Sequence, residues 1–188
     1  LTAIIRAFDE CQTLGFVGGR VTLHDTRDLP VTIRDVAEPR IFNPHEFIRA
    51  GAVHGANFAF RRAVLSEMGG FDERLGAGTR FSCEDVDMLA RVLAGGWHGS
   101  YDPRVVVAHD HGRRTLAELR KLNREYDRGR GAYYVKCILN PAISYVSAQN
   151  WYWSMLSAPR GMTVREVIAG SEFLLRSCGE SVRKFGRT

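Results

Sequence analysis

Three glycine pairs, Gly18-Gly19, Gly69-Gly70 and Gly95-Gly96, break the first part of the chain into short apolar runs and so limit what it can build. Ahead of the first pair, LTAIIRAFDECQT places Ile4, Ile5 and Phe8 on one helical face. GFVGGRVTL then reads as a strand whose glycines permit a bulge or the close approach of another backbone. Ahead of the second pair, the small, apolar GAVHGANFAF reads as a strand feeding the helix RRAVLSEMGG, which stops at glycine as helices commonly do. Ahead of the third, FSCEDVDMLARV opens a helix expected to run to about Leu93. Helix and strand therefore alternate along this stretch.

Other segments carry different punctuation. Residues 25–40 are polar, contain two prolines and are expected to form a loop with one edge strand. In NPHEF, Asn43 as cap, Pro44 at the first helical position and Glu46 in the first turn predict a short helix. WHGSYDPRVVVAHDH predicts a turn around Pro103 and a β-branched run from Val105 to Val107 that ends in histidines. Thr115-x-x-Glu118 and Thr163-x-x-Glu166 both match the capping box and announce two later helices. The first is expected to use Leu116, Leu119 and Tyr126 as its apolar face, the second Val164, Val167, Ile168, Leu174 and Leu175. Between them, Trp151, Tyr152 and Trp153 read as core or domain-contact residues; the alternative is an interfacial membrane belt beside basic residues.

With 188 residues and 45% hydrophobic content, the chain can bury a core of its own. No run of apolar residues is long enough to span a bilayer, and the first residues lack the layout of a signal peptide. Cys11, Cys83, Cys137 and Cys178 are too scattered for a structural zinc or a dense disulfide frame, which suits a reducing compartment. The net charge of +5 divides unevenly: residues 1–111 carry 12 basic and 15 acidic side chains, and residues 112–188 carry 14 basic and 6 acidic. A basic end of this kind attracts nucleic acid, anionic headgroups or phosphorylated substrates, or is simply a solvated face.

Glu84, Asp85 and Asp87 crowd the start of the third helix. At about 100° per residue, Val86, Leu89, Ala90 and Leu93 form its buried stripe, and Asp85 and Asp87 flank that stripe on opposite sides. They are therefore not a chelating pair. Asp87 precedes Arg91 by one favourable acid-to-base spacing and reads as structural. Glu84 and Asp85 meet the unpaired N–H groups of the helix start. Capping accounts for all three, and Asp85 is the one also placed for chemistry: it follows a glycine-rich loop able to border a cleft, where a carboxylate can accept a proton.

Four blocks between Gly55 and His111, GANFAFRR, GGFDERLGAG, EDVDMLARVLAGGW and YDPRVVVAHDH, resemble in order and spacing the second half of the catalytic domain of family 2 glycosyltransferases with the GT-A fold. GFVGGRV and YDRGRGAYYVK extend the resemblance over residues 1–137. It implies an α/β fold, a partial GT-A mixed sheet with flanking helices over 1–137, followed by a helical C-terminal extension over 138–188. It also implies an inverting reaction. An acceptor hydroxyl attacks the anomeric carbon of a nucleotide-diphospho-sugar, a divalent metal, Mn²⁺ or Mg²⁺, neutralises the departing diphosphate, and a carboxylate takes the proton. The resemblance places that base at Asp85, with Glu84 as a supporting acid or acceptor contact.

By the same resemblance Arg91 is a partner on the substrate side that fixes the helix, and Asn57 contacts donor or acceptor, a turn or packing role being its alternative. The resemblance makes His109 a metal ligand; His111, two residues on, shares its face if the strand continues and is then placed to approach the same cation, with two surface histidines as the alternative. Arg113 and Arg114 bind diphosphate oxygens in a mobile loop, or are surface arginines. The family's Asp-x-Asp metal motif, which ends a hydrophobic strand, has no counterpart before Gly18, and Asp85-Val86-Asp87 precedes a helix instead. With Leu1 in place of Met, the chain is expected to be a fragment lacking the nucleotide-binding half, to be completed by another polypeptide, or to be an inactive remnant.

The expected partners are a nucleotide-diphospho-sugar and a saccharide or lipid-linked acceptor in bacterial polysaccharide or glycolipid synthesis. The expected place is cytoplasmic, peripheral on the inner face of the plasma membrane through the C-terminal region. One alternative is a basic binding module for a membrane surface or nucleic acid without catalysis, although no helix-turn-helix spacing supports nucleic acid. Another is a metal-dependent phosphohydrolase built on His109, His111 and the acids.

Overall fold

A computed structural model describes the backbone of residues 1–185 and the side chains of residues 1–179. In chain order the elements are α1 (Thr2–Glu10), β1 (Leu14–Leu23), β2 (Arg40–Phe42), β3 (Phe58–Phe60), α2 (Arg62–Glu67), α3 (Glu84–Ala94), β4 (His98–His109), α4 (Leu116–Ile138), α5 (Ser144–Ser157) and α6 (Arg160–Phe185). The strands form one mixed sheet in the order β2-β4-β1-β3, with β1 and β4 parallel and the outer pairings antiparallel. This is the expected α/β arrangement, a mixed sheet flanked by helices and followed by C-terminal helices, in keeping with a partial GT-A fold. Val86, Leu89, Ala90 and Leu93 of α3 are buried as their periodicity requires and share one core with Phe16, Phe42 and Tyr101 of the sheet. Each large side chain so removed from water contributes about 1.5–3 kcal/mol.

The glycine pairs behave as read. A side chain at Gly18 would strike Val53, and one at Gly19 would strike the Val105 carbonyl. Gly69 and Gly70 end α2 at φ +71 and +77, and their N–H groups bond back to Ser66 and Leu65. The turn expected at Pro103 is instead a bulge inside the single long strand β4, where Gly19 faces Asp102 but Arg20 faces Val106. Proline is tolerated there because the ladder lapses at a bulge.

Two expected helix starts are corrected. NPHEF forms a turn, not a helix: His45 has φ +61 and donates its N–H to Leu93 O, while Glu46 accepts from Asn43 N–H and pairs with Arg40. Thr115 and Glu118 do form a reciprocal capping box at α4. The matching signal at Thr163 and Glu166 does not, because Pro159 starts α6 earlier by accepting from the N–H groups of Met162 and Thr163. The Thr163 hydroxyl is left buried without a partner among the described residues, and Glu166 turns inward to Arg130 and Trp151.

The apolar faces of α4 and α6 are also not those expected. Leu116, Val164, Val167, Ile168, Leu174 and Leu175 are exposed, and the buried seam holds Ala132, Glu166, Ala169, Gly170 and Phe173. The reason is close approach: a side chain at Gly131 would meet the Glu166 carbonyl, and one at Gly170 would meet that of Gly131. Small residues thus select the packed face over larger apolar ones. The aromatic trio splits as well, with Trp151 stacked on Tyr134 at 5.3 Å while Tyr152 and Trp153 are exposed.

Candidate active site

The residue before α3, Cys83, holds φ +89, a left-handed backbone that a side chain disfavours. Helix α4 clamps this turn: Gly129 lies so close to Ser82 and Cys83 that no side chain would fit, and Ser82 Oγ donates to Glu125 O. The strained turn presents Glu84 and Asp85 at the helix N-terminus. Asp85 Oδ2 accepts the Gly55 N–H at 3.1 Å, and Oδ1 accepts the Val86 N–H at 2.7 Å. Burial pushes the Asp85 carboxyl above its ordinary pKa, and these backbone N–H groups partly offset that. Glu84 rests against Gly76 of the preceding loop.

Other groups feel the same space. The Tyr126 hydroxyl on α4 is raised by burial, pulled down by Arg113, and raised again by Asp85, Cys83 and Glu84. His54, next to the Gly55 that binds Asp85, is lowered by burial and then by Arg34 and His109. His109 is lowered by burial, His111 and Arg113, with Asp110 opposing. Asp85, Tyr126, Arg113, His109 and His54 are therefore linked through one local field, beside the end of β4 and the start of α3. Ligand sites of open α/β sheets lie at the carboxyl ends of strands for the same topological reason.

The remaining nominated residues are drawn into the framework. Arg91 donates to Asp87, Met68 O and Gly70 O. Buried Asn57 donates to Arg20 O and Val105 O across the bulge. Arg114 donates to Asp28 and Asp25, pinning the 25–40 loop to the end of β4, whereas the Arg113 guanidinium meets no partner among the described residues.

His111 is almost wholly buried, with Nδ1 accepting the Arg113 N–H at 3.0 Å and lying 3.6 Å from Asp28 Oδ2. Its Nε2 is buried without a partner among the described residues. Because Nδ1 accepts, the neutral ring carries its proton on Nε2 and offers no lone pair there. The His109 and His111 rings lie 5.6 Å apart and supply imidazole only, while Mn²⁺ and Mg²⁺ favour oxygen-rich shells. Among the described residues no group of three or more His, Cys, Asp or Glu is placed to hold a metal ion. The residues present do not by themselves fit the implied cation.

A cavity of about 520 Å³ between α1 and the β2–β4 edge, lined by Cys11, Ile41, His98 and Arg104, contains none of these groups. Sequence reasoning overlooked His54 and assigned Tyr126 to an apolar face. A titratable side chain inside the small, apolar GAVHGANFAF was the available signal for His54; Tyr126 offered none, since its spacing also suits a core position.

Over 68 residues, 36% of this chain, the sequence is 35% identical to the pre-mycofactocin glycosyltransferase of Mycobacterium tuberculosis, in two strains. The chain covers 13% of the length of that protein. No family model and no solved structure matches it. The similarity points to a glycosyltransferase relationship.

Proposed function

We propose that this chain carries the acceptor-side, catalytic-base portion of an inverting glycosyltransferase that moves a sugar from a nucleotide-diphospho-sugar to a hydroxyl of a saccharide or lipid-linked acceptor. The observation that supports this reading most is the setting of Asp85: a carboxylate held at a helix N-terminus by the Gly55 N–H, raised in pKa by burial. No cation partners it in any ion pair among the described residues. The acceptor oxygen forms its bond to the anomeric carbon as the bond to the diphosphate breaks, and its proton passes to Asp85. The electron pair leaves with the diphosphate. Arg113, the uncommitted cation near His109 and Tyr126, meets the charge that develops on the leaving group. Glu84 lies beside Asp85 as an acceptor contact.

The test is Asp85→Asn in the full protein that carries these 188 residues. The asparagine can still accept the Gly55 N–H, so donor affinity by calorimetry should stay within about twofold while turnover falls about 10²–10⁴-fold. The wild-type rate should also lose its base, on acidification, at a pH above the ordinary aspartate range. Turnover that survives nearly intact, or a donor affinity that falls in step with it, sinks the assignment.

A further inference from the structure

Among the described residues, nine large apolar side chains of α5 and α6 are exposed, among them Tyr145, Tyr152, Trp153, Leu156, Ile168 and Leu175. Helix α5 contains no charged residue. On α6 the charges are drawn off this face: Glu166 bonds Arg130, Arg165 bonds Asp127, and Arg176 pairs with Glu172. Both helices pack their opposite sides toward α4, where Trp151 and Glu166 join them at 3.3 Å. An uncharged face of this extent on a folded chain marks an interaction surface.

Charge at its margin selects the occupant. Arg49 and Arg130 line a cavity of about 280 Å³ with Tyr134, Trp153, Ser154 and Ser157, at the edge of α5. Arg49 is exposed and has no ion-pair partner among the described residues, and Arg160 stands exposed at the start of α6. A second copy docking by two-fold symmetry would set this positive margin against itself. A phosphate-bearing lipid surface complements it, and rings such as Tyr152 and Trp153, whose polar tips bond nothing among the described residues, suit the boundary between headgroups and acyl chains. We propose that the outer faces of α5 and α6 dock the protein on an anionic phospholipid surface, with Arg49 and Arg160 on lipid phosphates. This rests on surface residues alone and stands apart from the sugar-transfer reading.

Flotation of the 188-residue chain with vesicles of phosphatidylcholine, alone or mixed with phosphatidylglycerol, tests it at low and high salt. The chain should float with the anionic vesicles at low salt, and at least about tenfold less with neutral vesicles or at high salt. Ile168→Glu with Leu175→Glu should abolish flotation, and Arg49→Glu should weaken it, all with unchanged circular dichroism because the side chains are exposed. Three results overturn the proposal: no flotation with anionic vesicles at low salt, flotation that survives the double substitution, or a stable dimer by light scattering that this double substitution dissociates.

Discussion

Asp87 is buried between Arg91 Nε at 3.0 Å and Lys136 Nζ at 2.8 Å, and Lys136 also reaches Asp72. Asp85, two positions earlier, meets backbone N–H groups and, among the described residues, no cation, and burial raises its pKa. The i,i+4 spacing made the Asp87–Arg91 pair readable. The carbonyls of Met68 and Gly70, which Arg91 also binds, were beyond reach because they arrive from the end of another helix. Arg91→Ala orphans those carbonyls but leaves Lys136 on Asp87, so we expect a loss of about 2–3 kcal/mol in urea unfolding. A substrate-binding role alone would leave stability untouched and raise KM.

The two capping boxes have the same sequence signature and different fates. Thr115→Ala removes a formed cap and should cost about 1 kcal/mol. Thr163→Ala removes a buried hydroxyl that bonds nothing among the described residues and should be neutral or stabilising, a contrast that thermal unfolding of the two variants reads directly. The helix pair α4–α6 is set by Gly131 and Gly170, and a methyl at Gly131 would collide with the Glu166 backbone, which cannot rotate away. Gly131→Ala should therefore cost about 1–3 kcal/mol, measured by chemical unfolding, despite the gain in helix propensity. A stabilised variant would mean the helices are not in this register. Amphipathic periodicity alone named the wrong face of α6, because it ranks residues by hydropathy and is blind to how close two backbones come.

Across the molecule, His54 of the loop before β3 and His109 at the end of β4 come from distant parts of the chain, and burial lowers the pKa of both. The unfolded chain binds their protons below about pH 6.5, and the folded chain resists them. Their contribution to stability is thus complete above that pH and is lost as pH falls toward the lower folded values. Asp85 carries the opposite sign, since a carboxyl whose folded pKa is raised by burial favours the folded state more as it protonates. The melting temperature should fall between about pH 7 and pH 5.5, and His54→Gln should flatten that slope; a slope unchanged by the substitution removes His54 from the buried field. The glycine stops, the α3 stripe and the α4 cap were determined by the sequence itself, because each depends on backbone geometry or periodicity within a few residues. The bulge at Pro103, the face that α6 buries, the fate of NPHEF and the grouping of Tyr126 and His54 with Asp85 were decided by tertiary structure. Each depends on a backbone or charge brought in from another element, where contact distance overrides local preference.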